Sequence, residues 1–332
     1  MNVELVKNKK AIITGMAGQD GSYLAELLLD KGYEVFGLIT HEQLSNPGKL
    51  WRINGLRNNI NLHVCDIGDE KQLSEYFGRI MPDEVYHLAS NVDPKVIFEE
   101  EVNTFNANFW GAINLLRSIT RHKKECKIYC AGSSLMFGDV KESPQNERTR
   151  LNPTTPYGIA KVASFHFLKM YREVYGAFAC MGILYNHESP RRDERFLPRK
   201  IVKAAAEIKA GRKEKLALGD VDIKRDWSFA GDVVESMWLM LQANEPKDYV
   251  IGSGELHSIE EILEIAFGYV DLDWRKFVVR DERYVRKVEY VNLCADTKKA
   301  REELGWVPKM RFRELITAMV CSDIKLVGDV YD

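Results

Sequence analysis

From residue 10 to residue 252 the chain alternates short runs of β-prone residues with longer stretches of helical periodicity. Strands are expected at 10–14, 33–39, 61–64, 84–89, 127–132, 178–185 and 249–252, and helices at 21–32, 71–80, 103–121, 158–176 and 231–242. In the first helix Leu24, Leu27, Leu28 and Leu29 supply the apolar side and Gly32 the stop. Strands joined by helices of this length call for right-handed crossovers, so the fold class is α/β, a doubly wound parallel sheet. After Tyr185 the texture shifts to proline, arginine and charged residues. Residues 1–185 with 226–252 are therefore expected to form a nucleotide-binding domain. Residues 186–225 with 253–332 should form a smaller C-terminal α/β substrate domain.

With 332 residues the chain is long enough for one large domain or two joined ones. A net charge of -2 gives no reason to expect nucleic acid or an anionic membrane as partner. No apolar run is long enough to span a bilayer, and the first residues lack a signal-peptide pattern, so a cytoplasmic protein is expected. The six cysteines form no CxxC pair, which points to free thiols and to no metal site.

Gly15, Gly18 and Gly21 of "TGMAGQDG" stand between the first strand and the first helix. In that context glycines let backbone approach a pyrophosphate, and the helix N-terminus presents unpaired N–H groups to it. A plain glycine-rich loop is the alternative. The GxxGxxG spacing suits a Rossmann-type domain of the extended short-chain dehydrogenases. Gln19 and Asp20 lie in the same turn. Asp66 and Ile67 after the third strand, with Leu88 and Ala89 ending the fourth, should line the cofactor groove. Asp66 could equally cap the helix that follows. The second strand leaves as "GLITHEQ" with no arginine to meet a 2′-phosphate, so NAD is the expected cofactor.

Tyr157 and Lys161 are four apart, hence on one face of a helix. A lysine ammonium beside a phenol favours the phenolate, which can exchange a proton with a substrate hydroxyl while hydride moves. YxxxK arises by chance in many helices, but here it follows the strand-end serines and the glycine turn. Ser133 and Ser134 of "KIYCAGSSLMFGD" then read as an active-site rim rather than a frayed strand end, with Ser133 facing the reacting oxygen.

Several longer runs, among them "ITGMAGQDGSYLAELLLDKGYEV", "NPTTPYGIAKVAS", "GILYNHESPRRDERFLPRKI" and "RDWSFAGDVVESMWLMLQ", resemble the GDP-mannose 4,6-dehydratases nearly end to end. The resemblance implies oxidation at carbon 4 of a GDP-linked hexose, loss of water across carbons 5 and 6, and return of hydride to carbon 6. It implies Tyr157 as base with Lys161 as its partner and a ribose contact. His187 and Arg192 would contact cofactor, and Asn186, Arg225, Arg286 and Glu289 would hold the nucleotide diphosphate and ribose. It also implies a homo-tetramer.

The departures matter as much. Where the family has Ser-Thr-Ser-Glu-Leu-Tyr-Gly, this chain has Gly132, Ser133, Ser134, Leu135, Met136, Phe137 and Gly138. An aliphatic Leu135 cannot act as the acid–base of dehydration. Asp93, in "SNVD", could supply a replacement carboxylate, and Thr40-His41 stands for the family's paired arginines. The expected activity is oxidation to a 4-keto GDP-sugar without efficient dehydration, or 4-epimerisation. A dehydratase with a relocated acid–base is the rival. A non-catalytic sensor on the same scaffold would be expected to lose Tyr157 or Lys161, and both are present.

Overall fold

Parallel strands need apolar residues on both faces, because helices cover each side of the sheet. The computed structural model, which describes residues 9–90, 99–285 and 293–328, meets that condition: the fourth and sixth strands are buried at every position. The chain runs β1 (Lys10–Thr14), α1 (Gln19–Asp30), β2 (Glu34–Ile39), α2 (His41–Ser45), β3 (Ile60–Val64), α3 (Glu70–Ile80), β4 (Glu84–His87) and α4 (Glu101–His122). It continues through β5 (Lys127–Ala131), α5 (Pro156–Tyr175), β6 (Ala179–Leu184), β7 (Asn186–Glu188), α6 (Leu197–Lys209), β8 (Leu216–Leu218) and β9 (Lys224–Phe229). The remainder is α7 (Ala230–Gln242), β10 (Tyr249–Ile251), β11 (Leu256–Ser258), α8 (Ile259–Tyr269), β12 (Val278–Arg280), α9 (Lys298–Leu304) and α10 (Phe312–Gly328).

Seven strands form one sheet in the order β10-β6-β5-β4-β1-β2-β3, every pair parallel. The chain winds outward from β1 in one direction and then from β4 in the other, so the carboxyl ends of β1 and β4 flank the switch point where such sheets bind ligands. One core lies under α3, α4 and α5, with Val85, Ile113, Leu116, Ile128 and Leu168. The other lies under α1 and α7, with Ile13, Leu24, Leu28, Tyr86 and Met237.

The smaller unit has its own core, in which α6, α8 and α10 contribute Ile201, Ile262, Leu263, Phe267, Leu315 and Met319. A three-stranded sheet, β11-β9-β7, leads into it from the end of β6. The sequence reading places all of 253–332 in this unit. Leu293 and Ala295 instead pack into the first core of the large unit, and Ala300 of α9 and Trp306 into the second. Buried donors and acceptors fix that return. Gln145 Oε1 accepts from Tyr185 Oη at 2.6 Å and from Cys294 N at 3.0 Å. Asp226 accepts from Ser253, Gly254 and Ala295 backbone N–H groups at 2.7–3.0 Å. A buried polar group costs free energy unless satisfied, so these pairings hold distant segments together.

Candidate active site

The phosphate turn follows β1 directly. Gly15 has φ +73, and a Cβ there would sit 2.8 Å from Ala89 N, so only glycine lets this turn press against the end of β4. Gly18 caps α1, and Gln19, Asp20 and Gly21 form its first turn. Thr14 ends β1 beneath the turn. Its hydroxyl accepts from Leu88 N at 3.2 Å and Ala89 N at 3.1 Å, and lies 2.9 Å from His87 Nδ1. With both lone pairs engaged, the Thr14 proton goes to Nδ1, which leaves the His87 proton on Nε2. That nitrogen is buried without a hydrogen-bond partner among the described residues. Burial, and then the Lys161 charge, push the imidazole down to about 3, so it is neutral.

Ser133 lies two residues past the end of β5 and caps a short 3₁₀ turn, Ser134–Met136, by accepting from Leu135 N at 3.2 Å. Its hydroxyl proton stays available to donate. The turn lies hard against α5: a Cβ on Gly158 would meet Leu135 O at 2.5 Å. Thr155 caps α5 and accepts from Gly158 N, which sets Tyr157 in the first turn. Lys161 follows one turn later, with Nζ 5.5 Å from the Tyr157 ring centroid. Both side chains are buried, at 9% and 3% exposure, and neither makes a hydrogen bond among the described residues. Leu135 is half-buried and its side chain packs on the first core, an apolar contact and not an acid–base.

β7 brings a second group to the turn. His187 Nε2 is 2.9 Å from Asp20 Oδ2 and Nδ1 is 2.7 Å from Tyr185 O. Gln19 Nε2 donates to His187 O at 3.1 Å, and Ser189 Oγ donates to Gln19 Oε1 at 2.8 Å. Arg192 pairs with Glu188 at 3.3 Å and lies over Phe196. Arg52 donates to Arg191 O at 2.6 Å, tying this segment to the loop after β2.

The remaining expected site residues are spread more widely. Asp66 is exposed and accepts from Gly68 N at 2.8 Å; α3 is capped by Asp69, not by Asp66. Ile67 packs towards α4, where a Cβ on Gly111 would meet it at 2.6 Å. Ser134 is buried in the 3₁₀ turn, and Asn186 opens β7. Arg225 lies on β9 opposite His257 of β11 and donates to Lys224 O. Arg286, Glu289 and Asp93 lie outside the described residues. Thr14, His87 and Asn108 were not singled out by the sequence reading. Asn108 accepts from Ser90 Oγ at 2.7 Å beside α5. The one sequence signal was a histidine inside the strand run "EVYHLA".

The chain's likeness to known proteins adds to this geometry. The family model described as GDP-mannose 4,6 dehydratase matches residues 12–319. The chain belongs to that family. It is 45% identical to GDP-mannose 4,6 dehydratase 1 of Arabidopsis thaliana, over 97% of this chain and 92% of that protein. It is 38% identical to the human GDP-mannose 4,6 dehydratase, over 96% of this chain and 92% of the human protein. Among solved structures, UDP-glucose 4-epimerase of Thermotoga maritima superposes with a TM-score of 0.84 at 24% identity, covering 96% of this chain and 99% of that one. A dTDP-glucose 4,6-dehydratase of Streptomyces venezuelae gives 0.83 at 22% identity, covering 96% and 98%. Those two likenesses bear on the fold. Among the described residues no helix is long and apolar enough to cross a membrane.

Proposed function

We propose that the chain oxidises carbon 4 of a GDP-linked sugar of the mannose or manno-heptose type and yields a 4-keto nucleotide sugar without efficient loss of water, or returns the hydride to carbon 4 as a 4-epimerase. One observation carries the reading. Tyr157 and Lys161 are in place on α5, while the turn packed against them presents Leu135 where the family has a carboxylate. The cofactor on this reading is NAD. Thr40 accepts from Gln43 N in a capping box, and neither it nor His41 offers a guanidinium to a 2′-phosphate. The bound nicotinamide supplies the hydride acceptor and, on return, the donor.

The chain's own residues do the rest. The Gly15 turn and the open N-terminus of α1 fit a pyrophosphate. Tyr157 takes the proton of the 4-hydroxyl, with the Lys161 ammonium one helical turn away and 5.5 Å from its ring. Ser133 donates its free proton to the same oxygen. A ketone at carbon 4 acidifies the carbon-5 hydrogen, but elimination still needs a group to remove that proton and protonate the departing hydroxide. Such a group contributes about 10²–10⁴-fold, and Leu135 contributes none of it. Membership of the family over residues 12–319 favours the second reading, a dehydratase whose acid–base lies elsewhere, with Asp93 the first residue to change.

Mass spectrometry of products from GDP-mannose-type substrates separates the two. The expected products are a 4-keto sugar with reduced cofactor, or a sugar unchanged in mass. A product lighter by one water, with solvent deuterium at carbon 5, sinks the proposal. Leu135→Glu should introduce water loss.

A homo-tetramer is part of the same reading. α4 and α5 pack side by side and leave Trp110, Ile159, Phe167, Met170 and Val174 exposed as an apolar seam, the kind of face that pairs between copies. A monomer in light scattering at micromolar concentration would count against it.

A further inference from the structure

We infer that His187, as an imidazolium, masks the Asp20 carboxylate at the phosphate turn, and that dinucleotide affinity therefore depends on this pair. The inference rests on the dinucleotide reading of the turn and adds a positioning role to it. The geometry is specific. His187 Nδ1 faces the carbonyl of Tyr185 at 2.7 Å and Nε2 faces Asp20 Oδ2 at 2.9 Å. Both partners are acceptors, so a ring satisfied on both sides carries two protons and a positive charge. Asp20 is in the first turn of α1, where the helix N-terminus would otherwise receive a pyrophosphate. A bare carboxylate there stabilises the helix but repels the ligand. The imidazolium cancels it, and Gln19 locks the pair by donating to Asp20 Oδ1 and His187 O, both at 3.1 Å.

The surroundings agree with the charge. Burial lowers the His187 pKa, but the Asp20 charge and hydrogen bond outweigh it and raise the pKa above 6.5. Burial raises the Asp20 pKa, and the His187 charge and hydrogen bond bring it below its ordinary value. Arg192 opposes the imidazolium from the same segment, and buried Glu188 stands between them in sequence with its own pKa raised by burial. Because the His187 pKa is raised, the mask is complete at acid pH and is lost as pH rises through it. Above that point Asp20 is left negative beside the ligand.

Titration calorimetry of NAD with the full-length protein, from about pH 5 to about 9, tests this across the imidazole range. Wild-type affinity is expected to fall by about tenfold on the alkaline side, the size of one partly buried helix-end charge. Asp20→Asn should bind with little pH dependence. His187→Gln, which keeps a hydrogen bond but no charge, should bind weakly at every pH. The double variant Asp20→Asn with His187→Gln should recover the affinity of wild type at low pH. Flat wild-type affinity, or no rescue of His187→Gln by Asp20→Asn, overturns the mask. Failure of wild type to bind NAD at any pH would instead remove the dinucleotide reading itself.

Discussion

The two ends of β4 bury polar groups in opposite ways. At the amino end Glu84 is 1% exposed and saturated. Tyr33 Oη, Lys9 Nζ and Gln242 Nε2 donate to Oε1 at 3.0–3.2 Å, and Tyr86 Oη donates to Oε2 at 2.7 Å. At the carboxyl end His87 is equally buried, yet its Nε2 has no partner among the described residues, and Tyr157 and Lys161 nearby make no hydrogen bond there. A saturated buried charge ties elements together. Unpaired groups lower stability, and they persist where something else is meant to meet them. The polar groups at the two ends thus differ in purpose, though composition alone would not separate them.

Tyr157→Phe should show the largest effect. Hydride transfer, followed by cofactor absorbance, should fall by about 10²–10⁴-fold while the thermal midpoint and cofactor binding hold, because only proton exchange is removed. Unchanged turnover would take Tyr157 out of the mechanism. Glu84→Gln should do the reverse. Weakening four charge-assisted contacts should cost about 2–3 kcal/mol in a denaturant titration, with little change in turnover per folded molecule. A loss of activity at full stability would break the distinction drawn between the two ends.

His87 gives the most diagnostic signal. Its folded pKa of about 3 lies below the ordinary 6.5, so the fold refuses a proton that the unfolded chain accepts. The stability tied to this group is complete above 6.5 and is lost as pH falls towards about 3. The slope is about 1.4 kcal/mol per pH unit within that window. In parallel denaturation series His87→Asn should remove this part of the acid sensitivity. Equal pH slopes in the two proteins would mean that His87 is solvated or charged in the fold.

Much of the larger unit was legible because its strands and helices have local causes. Leu24 and Leu28 mark a helix face, and the run "KAIIT" marks a strand, without reference to anything distant. The Tyr157–Lys161 pair was legible for the same reason, being one helical turn. The small sheet of β7, β9 and β11 was not, since β7 and β11 are three residues long and carry no period. Nor was the assignment of 293–306, which depends on Gln145 finding a backbone partner across 149 residues. Asp66 was read as a possible helix cap because an acid before a helix is ambiguous by three positions, and Asp69 takes that role. The Asp20–His187 pair joins positions 167 apart, and no spacing rule predicts it.

The smaller unit is assembled from separate stretches, with α7, β10 and α9 of the larger unit threaded between them. Recombination therefore has no single junction at which one pocket can be exchanged for another. A chimera that took a relative's smaller unit by one crossover would import part of each core and the wrong partners for Asp226 and Gln145. A point change confined to one turn, such as the turn that carries Leu135, leaves the partners of Asp226 and Gln145 untouched.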